Sequence, residues 1–154
     1  MVVNNVNNLN WSSRKCGVVS PFLQIIEQPM KGNQMSQILV VDDEPAVCGV
    51  IKMMLEHGGH EVQTASNGRE ALSLLEHRAF DLIVTDYLMP EMTGAGLAAA
   101  IKQRLPRQPV LMITAHAEML QASGDPLPGV DLLLRKPFLM NELHEAVTRI
   151  LPGN

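Results

Sequence analysis

The sequence predicts an α/β fold in which five parallel β-strands form one doubly wound sheet, each strand being followed by a helix in a (βα)5 order. Two observations predict it. From residue 38 onward, short apolar runs alternate with segments of helical spacing. Four of the five runs are nearly continuous in aliphatic residues, which is typical of parallel strands buried on both faces. The length of 154 residues is enough for one such domain and too short for two ordinary ones.

The predicted strands are short and consist mainly of Ile, Leu, Val and Met. Crossovers between parallel strands are right-handed, so we expect the helices to cover both faces of the sheet. In chain order, the strands are predicted at Ile38–Val41, Glu61–Ala65, Leu82–Thr85, Val110–Thr114 and Asp131–Leu134.

The first two helices carry recognisable start and stop signals. Pro45 stands at a plausible first-turn position, and the pair Gly58-Gly59 follows as a stop. Asn67 and Glu70 have the spacing of a capping box at the start of the second helix. The apolar residues expected to face the sheet are Val47, Ile51, Met54 and Leu55 in the first helix and Ala71, Leu72 and Leu75 in the second.

The remaining helices differ in how strongly the sequence predicts them. Between residues 124 and 129 lie two glycines and two prolines, so only about Glu118–Ser123 can be helical. We therefore expect a short fourth helix followed by an irregular loop. The third and fifth helices are predicted from apolar stripes that end at Pro106 and Pro152, and these stripes are Leu97, Ile101 and Leu105, then Leu143, Ala146, Val147 and Ile150.

The chain before the first strand has a different composition. Residues 1–35 show no sustained period and are rich in Asn and Ser with scattered Gly and Pro, which predicts a flexible N-terminal extension ahead of a domain at residues 36–152. Met30 or Met35 could be the native start, and the alternative is a short docking arm. After Leu151 only three residues remain, so we expect no output domain and a domain that acts on its own.

Charge and composition exclude some function classes. A net charge of −4 argues against direct binding of nucleic acid. No apolar run is long enough to span a bilayer, and the first ten residues lack the positive charge of a secretory signal. Cys16 and Cys48 have neither CxxC nor metal-ligand spacing, so we expect free thiols in a reducing compartment. These features predict a cytoplasmic protein.

Polar residues capable of chemistry follow four of the five predicted strands. Asp42-Asp43 follows the first strand, Asp86 the third and Lys136-Pro137 the fifth, while Thr114 closes the fourth. Each is weak evidence alone, since acidic residues are common near helix starts. Ligands bind at the carboxyl ends of strands in open parallel sheets, so the convergence of all these groups on one edge predicts a site.

The charge balance of that edge restricts what the site can hold. Two carboxylates about 4 Å apart repel by roughly 4 kcal/mol at an effective dielectric of about 20. Three carboxylates therefore need cations, of which Lys136 is one, and a hard ion such as Mg²⁺ suits oxygen ligands. A carboxylate beside Mg²⁺ and an ammonium can act as a nucleophile toward phosphorus, with a hydroxyl group to position the phosphoryl group.

Four segments resemble the receiver domain of two-component response regulators. They are ILVVDDEP at 38–45, DLIVTDYLMP at 81–90, MITA at 112–115 and KPF at 136–138. The resemblance extends from about residue 36 to residue 151 and contains every signature position in order. It implies a flavodoxin-like strand order 2-1-3-4-5.

The resemblance also implies a role for each site residue. Asp86 would be the phosphoacceptor, with Thr114 donating a hydroxyl and Lys136 pairing with the phosphoryl group. Mg²⁺ would be bound by Asp43 and Asp86, by Asp42 mainly through water, and by the main-chain carbonyl of Leu88. The Lys136-Pro137 bond would be cis. The implied partners are a sensor histidine kinase and either a histidine phosphotransfer protein or a target protein.

Two positions bear on regulation. His116 lies two residues after Thr114, and the resemblance implies that side chains there, and at Leu88, can modulate hydrolysis of the acyl phosphate. Many family members carry Tyr or Phe on strand five, three residues before the Lys, where this chain has Leu133. We therefore expect the signal to pass through a different rearrangement, such as ordering of the 124–129 loop.

Three other functions are weighed against the switch. A phosphatase with an aspartate nucleophile needs a second acid two residues later, but Leu88 stands there. A flavin or nucleotide carrier needs a phosphate-cradling loop after strand one, where the acidic residues 42–44 would repel phosphate. A receiver-shaped interaction module that does not use phosphate is the alternative function that stays open. Its intact set of chemical residues argues against it.

Overall fold

The computed structural model describes residues 35–124 and 127–151. The predictions made for residues 1–34, which are the flexible extension and the free thiol of Cys16, lie outside the described residues. Met35, where the description starts, is exposed. The other cysteine, Cys48, is a buried free thiol, as predicted.

Five parallel strands form one sheet in the order β2-β1-β3-β4-β5, as predicted. The register keeps the carboxyl ends level, since Val41 lies opposite Thr85, Asp86 opposite Ile113, and Thr114 opposite Arg135. The strands are β1 Gln37–Val41, β2 Glu61–Ala65, β3 Leu82–Asp86, β4 Val110–Thr114 and β5 Leu132–Arg135.

A helix follows each strand, and the fourth is short, as predicted. Its seven residues end at Ser123 and are followed by Gly124, which has a left-handed φ of 64° that glycine adopts without steric cost. The helices are α1 Pro45–His57, α2 Gly68–His77, α3 Gly94–Arg104, α4 Ala117–Ser123 and α5 Met140–Ile150. None of the helices within the described ranges is long and apolar enough to cross a membrane.

The start signals of α1 and α2 work largely as predicted. Pro45 occupies the first turn of α1. At the start of α2, the Asn67 side chain accepts a hydrogen bond from the Glu70 amide at 2.8 Å. The reciprocal half of the capping box differs, because the Glu70 carboxylate accepts from the amide and the hydroxyl of Ser66 at 2.8 and 2.7 Å. Ser66 gives the Glu70 carboxylate two hydrogen-bond donors, whereas the main chain of Asn67 would give it only one.

The sheet separates two apolar clusters, one on each face. Alternate residues of β1 enter different clusters, Ile38 and Val40 packing with α1 and α5 while Leu39 and Val41 pack with α2 and α3. All four side chains are at most 1% exposed. This burial on both faces is the reason why the strand sequence is continuous rather than alternating.

The structure corrects two expectations of burial. β5 is an edge strand whose Leu residues are only half-buried, because no strand covers its outer side. It begins one residue later than predicted, since the Asp131 carboxylate turns to accept from the Val110 amide and from Lys102, both at 2.8 Å. Leu105 is 42% exposed rather than part of the stripe of α3, because the helix ends at Arg104.

The middle of helix α3 lies close to the segment that precedes β5. A Cβ atom placed on Gly129 would lie 2.7 Å from the main-chain oxygen of Ala98, so the backbones meet there. The Lys102–Asp131 ion pair lies beside this contact. The segment that leads into β5 therefore packs directly on α3.

Candidate acidic site at the carboxyl edge of the sheet

The structure brings together the residues that follow the central strands. Asp42, Asp86 and Lys136 lie at one edge of the sheet, where Lys136 contacts both carboxylates. Thr114 belongs to the same edge, since its carbonyl accepts from the Lys136 amide at 2.9 Å. Level strand ends explain this convergence of residues as much as 94 positions apart.

Lys136 connects the buried carboxylate of Asp42 with the partly buried carboxylate of Asp86. Its Nζ lies 2.7 Å from Asp86 Oδ1 and 3.2 Å from Asp42 Oδ2. Asp42 is 3% exposed and the Asp86 side chain 13%, so water screens the pairs only partly. Burial by itself lowers the pKa of Lys136, but the hydrogen bond and charge of Asp86, together with Asp42, outweigh it and raise that pKa. The ammonium therefore stays charged.

Asp42 is fixed from several directions. Its Oδ1 accepts a hydrogen bond from the Glu44 amide at 2.9 Å, and its own amide donates to the Ala65 carbonyl at 3.2 Å. The thiol of Cys48 donates to the Asp42 main-chain oxygen at 3.4 Å. Burial, followed by the charge of Asp42, raises the pKa of Cys48, so the thiol keeps its proton. Asp43, the next residue, is exposed.

The Asp86 carboxylate has one oxygen for each of two donors. Oδ1 faces Lys136, while Oδ2 accepts from the Leu88 amide at 2.8 Å. On its main-chain side, Asp86 is approached by Gly94 so closely that a Cβ there would lie 1.9 Å from the Asp86 carbonyl oxygen. The start of α3 therefore fixes the end of β3 by direct backbone contact.

Thr114 is 1% exposed, and its Oγ1 accepts from the amide of His116 at 3.0 Å. A hydroxyl that accepts still carries its own hydrogen, so Thr114 can donate to another oxygen. The side chain of His116 is exposed at the start of α4, and that of Leu88 is 53% exposed. Leu133 is half-buried on β5. The Lys136-Pro137 peptide bond is cis, as expected.

The donor atoms at this edge suit a hard cation. Carboxylate and carbonyl oxygens are the ligands that Mg²⁺ prefers, and Asp42 and Asp86 offer carboxylates within one small region. Metal binding by the Leu88 carbonyl stays a prediction. Among residues 35–124 and 127–151, however, no three His, Cys, Asp or Glu side chains stand ready as a ligand cluster. The cation seen between Asp42 and Asp86 is the ammonium of Lys136. Direct metal binding by Asp43 stays a prediction.

Sequence reasoning missed three contributors to the site: Gly94, Cys48 and Thr93. Thr93 caps α3 by accepting from the Gly96 amide at 3.1 Å, and a threonine before a helical stripe is a signal that could have been used. Cys48 lies beside the apolar stripe of α1 in the sequence, and no sequence feature indicates its contact with Asp42. The close approach of Gly94 depends on the path of the loop before it, which the sequence does not show.

The sheet order and the carboxylate–lysine edge are those of a receiver-type fold. A comparison with protein families agrees, because the response regulator receiver domain family matches residues 38–148. The chain belongs to this family, whose members are signalling switches of two-component systems rather than metabolic enzymes. Phosphorylation and Mg²⁺ binding are typical of it.

Similar curated proteins are longer than this chain. The alkaline phosphatase synthesis transcriptional regulatory protein PhoP of Bacillus subtilis is 36% identical over 115 residues, which cover 75% of this chain and 48% of PhoP. The transcriptional regulatory protein GlrR of Escherichia coli is 34% identical over 112 residues, covering 73% of this chain and 25% of GlrR. The chain therefore spans half or less of the length of these relatives.

Two similar solved structures match this chain over almost their whole length. The response regulator TrrA of Thermotoga maritima, solved in complex with Mg²⁺ and BeF, is 33% identical with a TM-score of 0.69, covering 75% of this chain and 98% of TrrA. The chemotaxis protein CheY4 of Vibrio cholerae is 30% identical with a TM-score of 0.67, covering 77% of this chain and all of CheY4. The fold prediction is confirmed.

Proposed function

We propose that the chain is a phosphorylation switch in which Asp86 accepts a phosphoryl group in a Mg²⁺-dependent reaction. The observation that carries the proposal is the contact of Lys136 with Asp86 and Asp42, at 2.7 and 3.2 Å, on the carboxyl edge of the sheet. An ion pair with only a structural role would need one carboxylate beside Lys136 rather than two. A nucleophilic carboxylate that must approach an anionic phosphoryl group needs concentrated positive charge.

The proposed reaction is a transfer between two nucleophiles. A carboxylate oxygen of Asp86 forms a bond to phosphorus while the bond from phosphorus to the donor atom breaks, and the electron pair leaves with the donor. Lys136 and the hydroxyl of Thr114 hold the transferred oxygens. Asp43, Asp86 and the Leu88 carbonyl, with Asp42 mainly through water, would hold Mg²⁺, which would supply the remaining positive charge. Attack by water on the acyl phosphate restores the carboxylate.

The proposed donor is the phosphohistidine of a sensor kinase or a small phosphodonor, and the proposed compartment is the cytoplasm. The signal would leave through docking to a target protein or through a histidine phosphotransfer protein. TrrA, which was solved with Mg²⁺ and BeF, supports the metal dependence by similarity. His116 and Leu88 are exposed at the site, which suits a role in setting the lifetime of the acyl phosphate.

The test is the intact mass of the chain after incubation with Mg²⁺ and acetyl phosphate. We expect one phosphoryl group on the wild type, none on Asp86→Asn and none when EDTA is present. The control is Asp81→Asn, which changes a carboxylate at the amino end of β3 and should be phosphorylated normally. A wild type that gains no mass with any donor would instead identify an interaction module that does not use phosphate.

A further inference from the structure

The hydroxyl of Thr85 is a buried polar group at the end of β3 that the proposed reaction does not use. Thr85 is 0% exposed and directly precedes Asp86. Successive side chains of a strand point to opposite faces of the sheet, and Ile83, two residues earlier, packs in the cluster that contains residues of α2 and α3. Thr85 therefore faces the helix that begins at Gly94. A buried hydroxyl is costly unless it forms a hydrogen bond, so the identity of its partner matters.

The partner of this hydroxyl is the main chain of the proposed phosphoacceptor. Thr85 Oγ1 donates to the carbonyl oxygen of Asp86 at 3.0 Å. A Cβ placed on Gly94 would lie 1.9 Å from that oxygen and 3.2 Å from Thr85 Oγ1, so the start of α3 covers donor and acceptor together. A hydrogen bond that is shielded from water in this way is stronger than one exposed to it. The bond therefore fixes the direction of the Asp86 carbonyl.

The Asp86 carbonyl is connected to the Asp86 carboxylate by a short series of covalent and hydrogen bonds. The carbonyl belongs to the planar peptide unit between Asp86 and Tyr87, so it turns only together with the Tyr87 amide. The next amide, that of Leu88, donates to Asp86 Oδ2 at 2.8 Å, while Oδ1 lies 2.7 Å from Lys136 Nζ. A turn of the peptide unit would carry the Leu88 amide away from Oδ2. The carboxylate could then rotate about its Cβ–Cγ bond, a torsion with a broad energy minimum.

We propose that Thr85 is a positioning residue, whose hydroxyl fixes the orientation of the Asp86 carboxylate through the peptide unit between Asp86 and Tyr87. This inference rests on the proposed function, because a carboxylate that attacks phosphorus must present one oxygen in line with the bond that breaks. Small errors in such an alignment are costly in rate. A hydroxyl that only satisfied an acceptor in the core would matter for stability but not for the rate of the folded protein. The two roles therefore differ in a measurable way.

The test measures the rate of phosphorylation by acetyl phosphate at saturating Mg²⁺, by intact mass, in variants of the full chain. Thr85→Val keeps the shape of the side chain and removes the hydroxyl, and we expect the rate to fall about fivefold, the effect of one lost hydrogen bond of ordinary strength. Thr85→Ser keeps the hydroxyl and should stay within about twofold of wild type. The matched control is Thr64→Val, which makes the same change one residue before the end of β2 and should also stay within about twofold.

Two further measurements separate positioning from stability. Urea unfolding gives the folded fraction of each variant, so that rates are compared per folded molecule. Hydrogen exchange of the Leu88 amide, which donates to Asp86, should be about fivefold faster in Thr85→Val than in wild type and unchanged in Thr85→Ser. If Thr85→Val folds poorly, Thr85→Ala also lacks the hydroxyl, places no methyl group against the Asp86 carbonyl and should show the same slowing.

The outcomes distinguish this inference from the proposed function. A wild-type rate and wild-type exchange in both Thr85→Val and Thr85→Ala would overturn the positioning role and leave the proposed function standing. Equal slowing in Thr85→Ser and Thr85→Val would also overturn it, because a change of packing would then be the cause. A wild type that gains no phosphoryl group would overturn both proposals.

Discussion

Gly94→Ala tests whether backbone contact at the start of α3 fixes Asp86, the proposed phosphoacceptor. The added Cβ would lie 1.9 Å from the Asp86 carbonyl oxygen, whereas ordinary contacts of this kind begin near 3.4 Å. The atom it meets is main chain in a buried strand, so no flexible side chain can turn away. The helix start and the strand end must separate by more than roughly 1 Å, and overpacking of this kind costs about 1–3 kcal/mol. We expect a loss of about 3 kcal/mol because backbone must yield.

The assay is urea unfolding followed by circular dichroism, with Gly49→Ala as the matched control. Gly49 lies inside α1, and a Cβ there meets nothing within 4 Å. Alanine in a helix interior is favoured over glycine by roughly 0.5–1 kcal/mol, so this variant should become more stable. The same chemical change is therefore expected to have opposite signs at the two positions.

The prediction extends to the chemistry of the site. Displacement of Asp86 by about 1 Å should slow phosphorylation by acetyl phosphate by about 100-fold, since misplacement on that scale is costly for a reacting group. The reasoning is refuted if Gly94→Ala unfolds within about 0.5 kcal/mol of wild type, a difference typical of surface changes that touch nothing important. It is equally refuted if stability falls but the phosphorylation rate does not.

Two further predictions concern charge. Lys136→Met should lower the free energy of unfolding at pH 7 by about 1–2 kcal/mol, because it leaves two largely buried carboxylates without their cation; the side chain is 25% exposed, which reduces the loss. Urea unfolding measures it, and an unchanged midpoint would contradict it. Burial, with the charge of His144, lowers the pKa of His60 below 6.5. The folded state then takes up this proton less readily than the unfolded chain. Stability is therefore complete above that ordinary pKa and falls as pH drops through the lowered one. Unfolding of wild type and His60→Gln at pH 7.5 and 5.5 measures this, and the wild type should lose more; equal losses would contradict the prediction.

The sheet could be predicted from the sequence because strands that are buried on both faces consist almost entirely of apolar residues. The runs at Ile38–Val41 and Val110–Thr114 are apolar throughout because each strand has neighbours on both sides and helices above and below. The same composition overstated the burial of β5. An edge strand whose two faces are covered also consists of apolar residues. The sequence therefore does not show which strands lie at the edges of the sheet.

The site was predictable to the extent that strand ends determine it. Asp42, Asp86 and Lys136 follow strands, and parallel pairing brings such positions to one edge whatever the loops between them do. The loop conformations were not predictable in this way. In the loop between β3 and α3, for example, Glu91 has a positive φ for which the sequence carries no local signal.

Direct backbone contacts help to fix helix α3 at its first residue and near its middle. Its first residue, Gly94, meets the Asp86 carbonyl, and the carbonyl of Ala98 meets Gly129. The position of such a helix does not depend on its outward side chains, so we expect that exposed residues such as Gln103 can be exchanged without shifting Asp86. In evolutionary terms, the outer face of α3 is free to diverge for recognition, while the two glycines that anchor it are not.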